Sequence, residues 1–242
     1  MPFCPPVLGT LINVGTVVAG TAIGVSVGSR LPQRIQERVL AGLGMITLAL
    51  GVDLALAWGR EGSSTSTPLY VLGGVLAGGI IGEALGIERR LEALGDRVQA
   101  RLAGGEGHST VSEGFVTASL LFCVGSLTVV GSIQDGLTGD YETLATKAVL
   151  DGFASIALAA ALGWGVGLAA ITVLVVQGSI TLAAGLFEDI LVGEALAALT
   201  SAGGVTIIGI ALKLLDLKDV KVGNFLPALL FAPAIAGIAS AF

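Results

Sequence analysis

Charge, histidine, cysteine and aromatic residues are all scarce in this 242-residue chain, with 12% charged residues, one His, two Cys and 5% aromatics. Globular soluble proteins carry about 25% charged residues, so a water-facing surface over the whole chain is excluded. His108, Cys4 and Cys123 are too few to build a Cys/His zinc cluster. No H-E-x-x-H pair occurs, and no G-x-x-x-x-G-K-[ST] loop, so ATP-driven pumping by this chain alone is not expected. No carbonyl filter of the potassium-channel kind is present. His108 falls in a glycine-rich stretch and reads as a solvated loop residue, which leaves no intramembrane Ser–His dyad. The chain is therefore not expected to be an enzyme or to hold a cofactor. Nucleic acid is not an expected partner, because no basic surface is present. The N-terminus has no positive n-region and no small-residue cleavage pattern, so no cleaved signal peptide is expected. Cys4 is placed outside and Cys123 mid-span, so a disulfide between them is not expected, and Cys123 reads as a small packing residue.

What the chain has in quantity is apolar length. Hydrophobic residues make up 54% of it, and mean hydropathy is +0.92. A spanning helix needs about 20 largely apolar residues. Eight stretches meet that need, near residues 7–27, 39–58, 69–85, 114–130, 141–162, 168–187, 191–212 and 224–242. Between Asp151 and Glu188 there is no charge, and only Gly163-Trp164-Gly165-Val166-Gly167 breaks the run. A tight turn is expected there.

The few charges are ordered. Arg30, Arg34 and Arg38 lie in the first gap, Arg89, Arg90, Arg97 and Arg101 in the third, and Lys213, Lys218 and Lys221 in the seventh. These are ten of the twelve basic residues. Arg60 lies in a gap of the other side, and Lys147 lies within the fifth span. Cytoplasmic loops carry the Lys/Arg excess, so both termini are expected outside. Trp58, Tyr70, Tyr141 and Trp164 all fall at expected helix ends, where amphipathic rings favour the headgroup level. Residues 87–112 form the one sizeable soluble piece. Ile87, Leu91, Leu94 and Val98 share a helical face there, which reads as a cytoplasmic helix lying on the bilayer.

Glycine is the other abundant residue, with 37 copies. Gly20, Gly24 and Gly28 stripe the first span, and Gly74, Gly78, Gly82 and Gly86 the third. Small-residue stripes let helix backbones approach closely in lipid. They serve packing within the chain or a homodimer interface, and the sequence leaves both open. A three-span repeat is also expected. Val39-Leu40-Ala41-Gly42-Leu43-Gly44-Met45-Ile46 is similar to Val149-Leu150-Asp151-Gly152-Phe153-Ala154-Ser155-Ile156. An odd-numbered unit must invert in its second copy, a common plan of secondary transporters. The expected organisation is an all-α, single polytopic domain. Residues 1–86 form the first repeat, 87–112 the surface helix and loop, 113–190 the second repeat, and 191–242 a shortened third unit.

Polar groups inside the apolar stretches are the candidate chemistry. Charge at the bilayer centre costs a few kcal/mol unless it is paired or hydrated. Asp151 lies midway along the fifth span, with Lys147 one helical turn earlier on the same face. Two readings stand for this pair: a structural ion pair, or a carboxylate facing a solute path and held by Lys147. Gly131-Ser132-Ile133-Gln134-Asp135-Gly136 puts polar side chains between glycines at the outer end of the fourth span. It is either an unwound backbone facing an ion or an ordinary outer loop. Gln177 in the sixth span and Asn13 in the first are candidates, each readable also as a helix–helix hydrogen bond. Asn224, opening the eighth span, is readable also as a cap. Asp53 and Glu83 are weaker candidates.

Taken together, several segments resemble the YdfK/YqgA-like family of bacterial inner-membrane proteins, whose domain has no assigned function. The resemblance covers almost the whole chain. It rests on Gly9-Thr10-Leu11-Ile12-Asn13, the Gly131–Gly136 segment, Thr146-Lys147 with Leu150-Asp151-Gly152, Val176-Gln177-Gly178, and Gly223-Asn224-Phe225-Leu226-Pro227-Ala228. It implies a multi-pass bacterial inner-membrane protein and a transport role, described for the family as a candidate sodium channel or pump. Lys213 departs from that pattern, where Asn is expected. The function expected from residues and resemblance together is ATP-independent movement of a small cation such as Na⁺. Asp151, Gln134, Asp135 and Gln177 would supply oxygens, Asn13 and Asn224 would contribute from the flanking units, and Lys147 would tune Asp151. The alternatives are a carrier of a small organic anion or amino acid, with Lys147 as its partner, and a non-transporting scaffold or regulator.

Overall fold

The computed structural model describes residues 7–59, 63–91, 93, 97, 110–123, 126–187 and 191–239, and among them every regular element is a helix. In chain order they are α1 (Leu8–Gly28), α2 (Gln33–Ala55), α3 (Thr67–Leu85), α4 (Thr110–Cys123), α5 (Ser126–Thr138), α6 (Glu142–Leu162), α7 (Gly165–Leu182), α8 (Ala184–Phe187), α9 (Gly193–Leu214) and α10 (Ala228–Ala239). Single 3₁₀ turns extend α2 at Leu56–Gly59 and precede α10 at Val222–Phe225.

Among the described residues seven helical stretches are long and apolar enough to cross a membrane, or eight if a bent pair is counted as one span. That pair, Val111–Cys123 and Leu127–Thr138, bent by 61°, covers the fourth expected span. The Gly131–Gly136 segment, expected as unwound backbone or loop, lies inside α5. Helix α5 ends one turn later at Gly139, whose φ of 73° lets its N–H reach back to the Asp135 carbonyl at 3.1 Å. The expected turn after the fifth span is at Gly163, with φ 80°. Trp58, Tyr70, Tyr141 and Trp164 sit in terminal turns or at caps, as expected. Residues 87–91 are helical; Leu94, Val98 and His108 lie outside the described residues, as do Cys4 and Arg60.

Large apolar side chains point outward. Ile80, Phe153, Leu182 and Leu230 are each at least 70% exposed, while Thr10, Asn13, Ser132, Asp135, Ser155 and Gln177 are 0% exposed. Polar inside and apolar outside is the arrangement a lipid solvent favours, because hydrocarbon offers a polar group no partner.

The chain folds as two compact units. One comprises residues 1–43, 91–123 and 127–185, and the other residues 44–90, 124–126 and 186–242. Within the first unit the first span packs with the fifth and sixth.

In the first unit α1 lies along α6. A methyl group built on Gly20 would fall 2.9 Å from Ser155 Cβ, one on Gly24 2.8 Å from Ala159 Cβ, and one on Gly28 2.7 Å from Ala160 Cα. Real Cβ contacts are not that short, so only glycine permits this approach. Helix α4 packs on α7 in the same way, where Gly165 faces the Val111 backbone. In the second unit the Gly74, Gly78 and Gly82 stripe of α3 receives Ala232, Ala228 and Asn224. Val71, Ala198, Ala202, Ala232 and Ala236 form its buried core, with Trp58, Tyr70, Val75 and Leu229 packed on it.

Candidate functional site

The first unit holds a buried polar cluster built by α1, α6 and α7. Asn13 is four residues from Gly9 on α1, and Gln177 is on the inward stripe of α7 that includes Ala170, Val173 and Thr181. Lys147 and Asp151 repeat at helical spacing on the inward stripe of α6, with Leu144, Ala148, Ser155 and Leu158. Asn13, Lys147, Asp151 and Gln177 are all buried.

The Asn13 side-chain amide donates to Asp151 Oδ2 at 2.9 Å and to Gln177 Oε1 at 3.2 Å. Lys147 Nζ donates to the same Asp151 oxygen as an ion pair. The carboxylate fixes the sense of the network: only an N–H face of Asn13 can meet Asp151 Oδ2, so Gln177 must turn its oxygen to Asn13. Two polar atoms are then left over, Asn13 Oδ1 and Gln177 Nε2, both buried and without a hydrogen-bond partner. One is an acceptor and one a donor. Gly178, next to Gln177, is buried, yet a Cβ there would meet nothing within 4 Å.

More polar atoms share this condition. Thr10 Oγ1, Thr21 Oγ1, Ser132 Oγ, Asp135 Oδ1, Ser155 Oγ and Thr181 Oγ1 of the first unit are buried without partners, as is Ser201 Oγ of the second. Native interiors hold only a few such atoms per hundred residues, and each needs an explanation. Asp135, fully buried, accepts the Gly9 N–H at 3.2 Å through its other oxygen, Oδ2. It thereby satisfies one of the free donors of the first turn of α1.

Other candidates fall elsewhere. Gln134 is half-buried and accepts the Thr143 hydroxyl at 2.8 Å, a local link between α5 and the start of α6. Asn224 belongs to the second unit. Its Nδ2 donates to Glu83 Oε2 at 2.6 Å, and its Oδ1 accepts the Glu88 N–H at 2.8 Å. Glu88 in turn accepts the Gly223 N–H. Asn224 thus ties the start of the last span to the end of α3, rather than joining the Asp151 cluster. Asp53 is exposed. Ser132 was read in the sequence as one of the polar side chains between Gly131 and Gly136, whereas the hydroxyls of Thr10, Ser155 and Thr181 were not singled out. Their only signal is a place on the inward stripe, and Thr67 shows why that is weak. It occupies a similar position in α3 and is spent on a hydrogen bond to Glu194 Oε1 at 2.9 Å.

Among the described residues no group of three or more His, Cys, Asp and Glu could hold a metal ion. The first unit's two buried carboxylates are each held by N–H donors, Asp151 by Lys147 and Asn13 and Asp135 by the Gly9 backbone, and unpartnered neutral side-chain oxygens lie in the same unit.

Apolar helices of spanning length, lipid-suited outer faces and a polar interior define a polytopic α-helical membrane protein. Residues 8–237 match the family described as "Protein of unknown function (DUF554)", and the chain belongs to that family. It is 31% identical over 234 residues to the uncharacterized membrane protein YdfK of Bacillus subtilis (strain 168), a match covering 97% of each chain. It is 28% identical over 229 residues to the uncharacterized protein YqgA of Escherichia coli (strain K12), covering 93% of this chain and 94% of that one. No solved structure matches.

Proposed function

We propose that this protein is an ATP-independent transport protein of the bacterial inner membrane that passes a small monovalent cation such as Na⁺. The observation that carries this reading is the set of unpartnered buried polar atoms in the first unit, around Asn13, Asp151 and Gln177. Among the described residues eight of the nine such atoms lie in this unit, and each costs about 1–3 kcal/mol unless water or an ion meets it. Asp151 supplies charge, and Asn13, whose amide nitrogen bonds Asp151, supplies Oδ1 as a buried acceptor without a partner. Lys147 occupies Asp151 when no cation is bound, so a cation would compete with it. The Lys/Arg distribution supports a threading with both termini outside and Arg89–Arg101 in the cytoplasm. The protein needs no cofactor and no enzymatic step in this reading.

The test is flux. Purified protein in liposomes, with Na⁺, K⁺, Li⁺ and small organic anions and amino acids each placed outside, should take up a monovalent cation. Asp151→Asn should abolish uptake while the protein still inserts. Full uptake by Asp151→Asn would remove Asp151 as an essential ligand. Uptake of an organic anion, lost in Lys147→Met, would favour the anion carrier. No flux of any species, in protein shown to be folded, would leave the scaffold reading.

A further inference from the structure

A second polar centre lies in the first unit, distinct from the Asp151 cluster and closer to the ends of its helices. Gly9, in the first turn of α1, donates to Asp135 Oδ2. Gly9 and Gly131 both lie against Leu144 at the start of α6, and Gly136 lies against the Thr181 carbonyl near the end of α7. Four helices therefore meet there, and each of three brings unpartnered oxygens: Thr10 Oγ1 from α1, Ser132 Oγ and Asp135 Oδ1 from α5, and Thr181 Oγ1 from α7. All four residues are at most 2% exposed. Ser132 and Asp135 are three residues apart and share a helix face.

Asp135 differs from Asp151 in one respect. Asp151 has Lys147, whereas Asp135 is bound by backbone N–H alone and forms no ion pair among the described residues. A buried carboxylate without a cation is costly. The N-terminus of α1 offsets part of that cost through Oδ2. Oδ1 remains, and Ser132 on the same helix face, Thr10 beside Gly9, and Thr181, whose carbonyl lies against Gly136, bring hydroxyls to the same helix junction.

We propose that Asp135 Oδ1, with the hydroxyls of Ser132, Thr10 and Thr181, binds a dehydrated monovalent cation, so that the path has two steps. Asp135 is the first, at the mouth, and Asp151 with Asn13 the second, about one helical turn deeper along α1, or roughly 6 Å. The role of the Asp135 centre as a step rests on the transport reading above; its cation binding does not. Charge sets the ligand class: one carboxylate and neutral oxygens match one positive charge. The two centres also explain why Asp135 and Asp151 do not share one site: a cation leaving Asp135 meets Asp151, where it must displace Lys147.

The experiment is the thermal melt of purified full-length protein in detergent, titrated with NaCl, KCl or LiCl against choline chloride at constant ionic strength. Wild type should be stabilised saturably by one of these cations and not by choline. Asp135→Asn should raise the half-saturating concentration about tenfold or more. Ser132→Ala and Thr10→Val should raise it less, and stand in should Asp135→Asn fail to fold. Asp151→Asn should leave the Asp135-dependent response in place. A response unchanged by Asp135→Asn, Ser132→Ala and Thr10→Val overturns the inference, and so does a wild type stabilised equally by choline, as a protonated Asp135 would give. Failure of the transport reading looks different: cation stabilisation through Asp135 persists, and liposome flux is absent.

Discussion

The side-chain amide of Asn13 meets the carboxylate of Asp151, 138 residues away in sequence, at 2.9 Å in a fully buried setting. This contact fixes the depth of α1 against α6. It also places Gln177 of α7 on the same amide, so three helices are keyed by one side chain. Replacing Asn13 by Leu should cost about 1–3 kcal/mol, because it leaves Gln177 Oε1 buried without a donor. Adding Gln177→Leu should recover part of the loss. Reversible unfolding in mixed micelles measures both. An additive double variant would mean that the two amides are not coupled.

The Lys147–Asp151 pair invites a second cycle. Removing one partner of a buried ion pair costs about 3–5 kcal/mol, whereas replacing both with apolar residues is often neutral. Lys147→Met alone should therefore lower the melting temperature sharply, and Lys147→Met with Asp151→Leu should restore it. The restored protein should still fail to transport. Stability and flux then separate in a single variant, and recovery of flux in the double variant would make the pair purely structural.

Glycine packing gives a prediction with built-in controls. Gly24→Ala and Gly28→Ala drive a methyl group into Ala159 and the Ala160 backbone, and Gly78→Ala does the same to Ala228. Each should destabilise by about 1–3 kcal/mol, outweighing the gain of about 1 kcal/mol in helix propensity. Gly15→Ala and Gly42→Ala meet nothing within 4 Å and should be neutral or stabilising. Thermal melts of the five proteins decide it. Equal behaviour of the two sets would mean that the α1–α6 and α3–α10 approaches are looser than described.

How far the sequence reached depends on which physics was local. Helix positions follow from apolar length, so α6, ending at Leu162, and the Gly163 turn came out within a residue or two. The Lys147–Asp151 pair follows from i, i+4 spacing on one helix. The kink between α4 and α5 was not legible, because hydropathy does not register a bend within an apolar run. Gly131 and Gly136 were read for backbone freedom, but both serve close approach, to Leu144 and to the Thr181 carbonyl. Asn224 and Glu88 are 136 residues apart and their hydrogen bond depends on tertiary packing, so no spacing rule could join them. Ser132 was visible only as part of a polar segment, and the hydroxyls of Thr10 and Thr181 carry no compositional signal at all. In most membrane helices such groups bond their own backbone, and only the structure separates them from those that do not.

Topology is tested without any functional assay. Single cysteines placed between Arg89 and Arg101, in a protein lacking Cys4 and Cys123, should react with an impermeant maleimide only after the cytoplasmic face is opened. A cysteine near Glu188 should react in intact cells. The ground is that ten of twelve basic residues lie on one side of the expected threading. The reverse labelling pattern would invert the orientation and place the Asp135 centre on the cytoplasmic side.

The open space beside Gln177 gives the last test. Gly178 is buried, but a Cβ there meets nothing within 4 Å. Gly178→Ala should therefore fold at least as well as wild type, gaining up to about 1 kcal/mol from helix propensity. Larger residues should behave in a graded way. If the space is part of the cation path, Gly178→Val and Gly178→Leu should reduce liposome flux stepwise with side-chain volume while the melting temperature changes little. If it serves only packing, added volume should leave flux unchanged wherever the fold survives. Flux that is independent of side-chain size at Gly178, in variants that melt like wild type, would remove this face of α7 from the path and leave the Asp151 cluster to be reached from another side.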